Sequence, residues 1–177
     1  VSKRNEILKA ASAVIASQGL SNLTLDAVAK EAGVSKGGLL YHFPSKDALI
    51  EGMSRFAIDE FNQEVEKEQE QTKSFIQAYA QATLNDLEHP QSLNLDTSLL
   101  AAIGNNHDLL HPWQEQYEKW DKQIRNGGEN VNLSLIIRFV CDGLWFSKMF
   151  GLQPIEKERQ DRMMKYLFTL LEKESNV

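Results

Sequence analysis

The sequence predicts an all-α protein: a three-helix amino-terminal domain over residues 1–46 and a larger helical domain over 47–177, about nine helices in all. Apolar residues recur three and four positions apart through successive segments. Hydroxyl residues and glycines stand where those segments begin and stop. The longest apolar run, Val131 to Phe150, is apolar on more than one face, which implies burial on more than one side.

Ser2 to Gln18 forms the first expected helix, with Ile7, Leu8, Ala11, Val14 and Ile15 at helical spacing and Gly19 as its stop. The stretch TLDAVAKEAGVSKGGLLYHFPSK, Thr24 to Lys46, reads as two short helices joined by a tight turn. Thr24 suits the first cap, and Leu25, Val28, Ala29 and Ala32 follow at helical spacing. Gly33 occupies the turn, where a positive φ is expected, and Ser35 caps the second helix. Ala29, Gly33 and Leu39 supply the small residue, turn glycine and apolar anchor of a helix-turn-helix.

On the second helix Leu39 and Phe43 can pack inward. Lys36, Gly37 and Gly38 lie at the leading end, where base edges would be met, and Tyr41, His42 and Lys46 lie where phosphates would be. The stretch could also be a plain interhelical connection, but caps, turn glycine, small residues and phosphate donors all agree on a groove-reading unit. Lys3 and Arg4 are further candidates for the phosphate backbone.

AGVSKGGLLYHFPSKDAL resembles the helix-turn-helix signature of the TetR family of bacterial transcriptional repressors, and the likeness covers Lys3 to Met53. Further on, the DGLWF stretch at Asp142 to Phe146 and the overall length are similar to the family. The resemblance implies that Thr24, Ser35, Tyr41, His42 and Lys46 hold the sugar-phosphate backbone, while Lys36, Gly38 and Leu39 face bases. Many relatives carry a second tyrosine immediately before the position of Tyr41. Here Leu40 stands instead, and no contact is carried over to it.

Pro44-Ser45-Lys46-Asp47 opens a long fourth helix, with Ser45 as cap and Ala48, Leu49, Met53, Phe56, Ala57, Phe61 and Val65 as its stripe. It is the candidate lever between the two domains. Its tail, EVEKEQEQ, reads as a solvated face. Thr72 to Glu88 carries a strong helical pattern that stops near His89-Pro90. A shorter helix is expected over Leu95 to Ile103, ending at Gly104, and another over Pro112 to Arg125, ending at Gly127-Gly128.

On that helix Trp113, Tyr117 and Trp120 share one face, as core or as the wall of a ligand site. With Trp145 and Met149 they form the candidate ligand-binding set. Arg138 and Asp142, four apart, are expected to pair with each other; the alternative is that one anchors a ligand's polar group. The run at 131–150 and the final helix, with Ile155, Met163, Met164, Leu167, Phe168, Leu170 and Leu171, are the expected homodimer interface. The resemblance implies the same four-helix arrangement.

Net charge is −6, but residues 1–46 carry +3 and the remainder −9. The first part suits a polyanion and the rest would be repelled by it. A single cysteine, Cys141, excludes an intrachain disulfide and suits a reduced cytoplasm. No basic-then-apolar signal opens the chain, and Arg138, Asp142 and Lys148 make the apolar run a poor membrane span. His107 and His111 have a metal pair's spacing, but Pro112 places a helix start after them, and no metal site is expected. No phosphate loop, nucleophile elbow or zinc spacing is present, and neither enzyme activity nor a cofactor is expected.

The expected function is a cytoplasmic, homodimeric regulator that binds a near-palindromic operator in double-stranded DNA. The resemblance implies repression relieved by a small-molecule effector. The rival expectation is a helical sensor or carrier whose helix-turn-helix contacts protein.

Overall fold

A computed structural model describes residues 2–72, 74–88, 99–100, 102–104, 106–152 and 155–174. Among the described residues eight α-helices have both ends in view, and regular structure is helical throughout. They are α1 (Lys3–Gln18), α2 (Leu25–Glu31), α3 (Lys36–His42), α4 (Lys46–Thr72), α5 (Phe75–Asp86), α6 (His111–Asn126), α7 (Val131–Met149) and α8 (Lys157–Glu174). Residues 99–100 and 102–104 are helical as well. The start of the helix expected at 95–103, and the loop expected after His89-Pro90, lie outside the described residues.

The chain forms two compact units, residues 1–60 with 94–116 and residues 61–93 with 117–177. The boundary expected after Lys46 falls one residue into α4, and the first unit runs on to residue 60. Packing of the first unit extends beyond the expected boundary, because Leu49, Ile50 and Met53 are buried with the side chains of α1 to α3. α4 is one continuous helix whose residues contribute to both units.

In the first unit, Ile7, Leu8, Ala11 and Val14 of α1 meet Val28, Leu39, Phe43, Leu49 and Met53. Local chemistry sets the helix boundaries. The hydroxyls of Ser2, Thr24, Ser35 and Ser45 accept from the backbone N–H three residues on, at 3.3, 3.1, 3.1 and 3.0 Å. Gly33 has φ +62°, and the Val34 N–H donates to the Ala29 carbonyl at 3.0 Å, closing the turn. Arg55 donates to Glu51 and to Glu115 within this unit, both at about 3 Å.

In the second unit, Val65, Ile76, Tyr79, Trp120, Ile137, Cys141, Met164 and Leu171 belong to one core cluster. Burial pushes the Cys141 thiol up to about 12, and the side chain packs as a small apolar group. Ile137, Cys141 and Leu144 form the buried side of α7, while Ile136, Phe139, Phe146 and Phe150 are about half exposed. The helix is two-faced, as its composition requires.

Among the described residues no helix is long and apolar enough to cross a membrane.

Candidate nucleic-acid interface

α2 and α3 are only seven residues each, too short to be stable alone in water. They are held by caps at their starts and by Val28, Ala29, Leu39 and Phe43 on the first unit's core. This leaves one face of α3 turned outward. Lys36, Gly37 and Gly38 are exposed at its start, and Tyr41 is 85% exposed. His42 is half-buried with its ring edge-on to Tyr41, centroids 5.1 Å apart. Lys46 is exposed at the first residue of α4.

Thr24 and Ser35 are exposed as well as capping. A hydroxyl that accepts through a lone pair keeps its proton for donation, so each can cap its helix and still donate to a phosphate oxygen. Sequence reasoning missed Asp26. Its carboxylate accepts from the Lys36 ammonium at 3.0 Å, bringing an acidic group to the leading end of α3. No spacing rule relates two residues ten apart across a turn.

Leu39 requires a correction. It is fully buried in the core of the first unit and cannot face bases. Its inward spacing with Phe43 is the reading that holds. Leu40, by contrast, is 36% exposed.

The candidate ligand residues divide between the two units. Trp113 packs against the first unit's core, and its indole N–H is buried with no partner among the described residues. Tyr117 and Trp120 belong to the second unit. There Trp120 is 3% exposed and donates through Nε1 to Asn62 Oδ1 at 2.9 Å. Phe61, Tyr79, Tyr117 and Trp120 form an edge-to-face series with neighbouring centroids 5.1 to 5.5 Å apart. Trp145 and Met149 are half-buried against the Leu87–Leu144 cluster.

The expected pairing of Arg138 with Asp142 is replaced by another arrangement. Asp142 Oδ1 accepts from the hydroxyls of Tyr79 at 3.0 Å and Tyr117 at 3.2 Å. Arg138 reaches Asp121 at 3.8 Å and lies over the ring of Phe139. Burial holds the Asp142 carboxyl above its ordinary range, against the two phenols and the Arg138 charge. Burial also raises both tyrosines, helped by the Asp142 charge.

His111 is the first residue of α6 rather than preceding it, and its Nδ1 lies 3.7 Å from Glu115. Among the described residues no group of three His, Cys, Asp or Glu is placed to hold a metal.

An all-helical chain with a capped helix-turn-helix and an outward polar face on its second helix has the architecture of the helix-turn-helix DNA-binding proteins. Residues 7–53 match the family described as bacterial regulatory proteins, tetR family, and residues 73–172 match the tetracyclin repressor-like C-terminal domain. The chain belongs to the TetR family.

It is 28% identical over 129 residues to the nucleoid occlusion factor SlmA of Vibrio cholerae, a match covering 71% of this chain and 66% of that protein. It is 24% identical over 159 residues to the transcriptional repressor KstR2 of Mycobacterium tuberculosis, covering 82% and 80%. The fold is shared with the multidrug binding protein EbrR at TM-score 0.74 and 21% identity, covering 94% of this chain and 95% of that one. A TetR-family member from Streptomyces coelicolor A3 aligns at TM-score 0.72 and 20% identity, covering 94% and 98%.

Proposed function

We propose that this protein is a cytoplasmic, homodimeric repressor that binds a near-palindromic operator through α3 and leaves it when a small molecule enters the second unit. The observation that carries the reading is the outward face of α3. Lys36, Gly37, Gly38 and Tyr41 stand open above a core closed by Leu39 and Phe43. On this reading Thr24, Ser35, Tyr41, His42 and Lys46 hold phosphates, while Lys36 and Gly38 lie against base edges. The +3 charge of residues 1–46 supplies the sequence-independent attraction.

Two copies are needed to address two half-sites, about 34 Å or a multiple of it apart on B-DNA. The exposed aromatic side of α7 and the adjoining α8 would join them. The family supports repression, and KstR2 is described as a repressor. EbrR is solved with ethidium and with malachite green. That precedent and the ring series at Tyr117 and Trp120 favour an aromatic effector here. It would act by binding one arrangement of the helices better than the other, so that effector and operator weaken each other by the same factor.

Genomic selection of bound fragments tests this reading. A recurring inverted repeat, bound by two chains and with affinity that falls steeply with salt, is expected. Retention of no duplex at low salt would reject it. Ethidium is the first effector probe, titrated into the protein free of DNA, into which it would itself intercalate: it should shift tryptophan emission.

A further inference from the structure

Lys36 Nζ donates to Asp26 Oδ2 at 3.0 Å, joining the first residue of α3 to the second residue of α2. Their side chains remain 59% and 70% exposed. A pair so open to water adds little to the fold. A carboxylate at the leading end of a groove-reading helix is also repelled by phosphates, unless a cation accompanies it. Lys36 is that cation. The neighbouring positions, Ser35, Gly37 and Gly38, leave the couple unobstructed on the exposed side.

What the couple presents is a donor beside an acceptor. The ammonium gives one proton to Asp26 and keeps two. Asp26 Oδ2 accepts that bond through one lone pair and keeps another, and Oδ1 has no hydrogen bond among the described residues. In the major groove a G·C pair shows two acceptors, guanine N7 and O6, followed by a donor, cytosine N4. O6 and N4 are themselves joined by a Watson–Crick hydrogen bond, so they stand about 2.9 Å apart. That is close to the separation of the Lys36 and Asp26 atoms. T·A also sets an acceptor beside a donor. It offers a methyl group in place of guanine N7, however, and puts adenine N7 next to the carboxylate, acceptor against acceptor.

We propose that Asp26 is a specificity-determining residue, and that the Lys36–Asp26 couple reads one G·C pair in each half-site, lysine on guanine O6 and N7 and aspartate on cytosine N4. The inference rests on the reading that α3 enters the major groove. It assigns to α2 a part in sequence choice.

The test uses the full chain and a pool of random-sequence duplexes. From the motif selected by the wild-type protein, duplexes substituted at each column in turn are titrated with wild type, Asp26→Ala and Lys36→Ala. Thermal melts serve to show that both variants fold, as exposed positions allow. The expected result is that Asp26→Ala loses discrimination at one G·C column, on the order of tenfold, with other columns kept. Lys36→Ala should lose it at the same column. Discrimination unchanged at every column in Asp26→Ala, or losses at different columns for the two variants, overturns the inference while α3 still reads DNA. A wild-type protein that selects no motif overturns both.

Discussion

The hydroxyl of Tyr79 donates to Asp142 Oδ1 across 63 residues of sequence, at 3.0 Å, and Tyr117 donates to the same oxygen. Burial nevertheless keeps this carboxyl above its ordinary value of 3.8. The folded chain therefore holds a proton that the unfolded chain has already released. The contribution of Asp142 to stability should fall as pH rises from about 3.8 to the raised value and be flat beyond it. Urea unfolding across that window, in wild type and Asp142→Asn, checks this. The variant's stability relative to wild type should rise with pH. Parallel profiles would mean that Asp142 titrates as it does in the unfolded chain.

Gly52 of α4 lies against the ring of Phe43. A Cβ there would stand 2.5 Å from Phe43 Cε1, 3.3 Å from Leu8 Cδ2 and 3.4 Å from Arg4 Nη2, and the Arg4 guanidinium lies over the Phe43 ring at 5.1 Å. Gly52→Ala should destabilise the chain by about 1–3 kcal/mol, exceeding the helix propensity that alanine gains. Gly37, with nothing within 4 Å of a new Cβ, is the control, and Gly37→Ala should match or exceed wild type. Thermal melts of the two decide it; equal melting points would show that Phe43 yields freely.

Gly38 and Leu39 are neighbours with opposite exposure, and substitution separates fold from recognition. Leu39→Ala should cost about 2–5 kcal/mol, since it opens a cavity under α3. At Gly38 a Cβ meets only the Ser35 hydroxyl, at 3.3 Å. Gly38→Gln should melt near wild type and bind the operator at least about tenfold more weakly, because its side chain projects where base edges would lie. Unimpaired binding in a gel-shift titration would remove Gly38 from the groove.

Ile136, Phe139 and Phe146 of α7, and Phe150 at its C-cap, expose 48% to 60% of their surface. Contiguous apolar area of this kind marks an association surface. Phe139→Glu changes an exposed position, so the fold should survive while the mass in sedimentation falls from dimer to monomer. Operator affinity should drop with it, since one chain engages one half-site. A variant that remains dimeric would place the interface elsewhere.

The helix-turn-helix was legible because its determinants are local. Thr24, Ser35 and Ser45 cap within three residues, and Gly33 sets the turn through its own φ. The two misplaced contacts failed for other reasons. Family likeness places Leu39 against bases, although its own spacing with Phe43 points inward and it is fully buried. Helical spacing pairs Arg138 with Asp142, whereas Tyr79 and Tyr117 arrive from other helices and Asp121 draws Arg138 away. The aromatic stripe at 113–120 shares a helix face as expected, but Trp113 packs in one unit and Trp120 in the other, a division that periodicity along one helix does not encode.

Lys46 offers the simplest measure of whether α3 and the start of α4 meet DNA together. It is exposed at the first residue of α4, directly after the Ser45 cap. A lysine there adds nothing to the core, so Lys46→Ala should leave the melting point unchanged. If it neutralises one phosphate, its removal returns one condensed cation to the duplex. The slope of log affinity against log salt should then fall in magnitude by about one. Because a phosphate carries no sequence, operator and random DNA should weaken alike, in contrast to Gly38→Gln, which should act on the operator more strongly. An unchanged slope would make Lys46 a solvated side chain and confine the phosphate contacts to Thr24, Ser35, Tyr41 and His42.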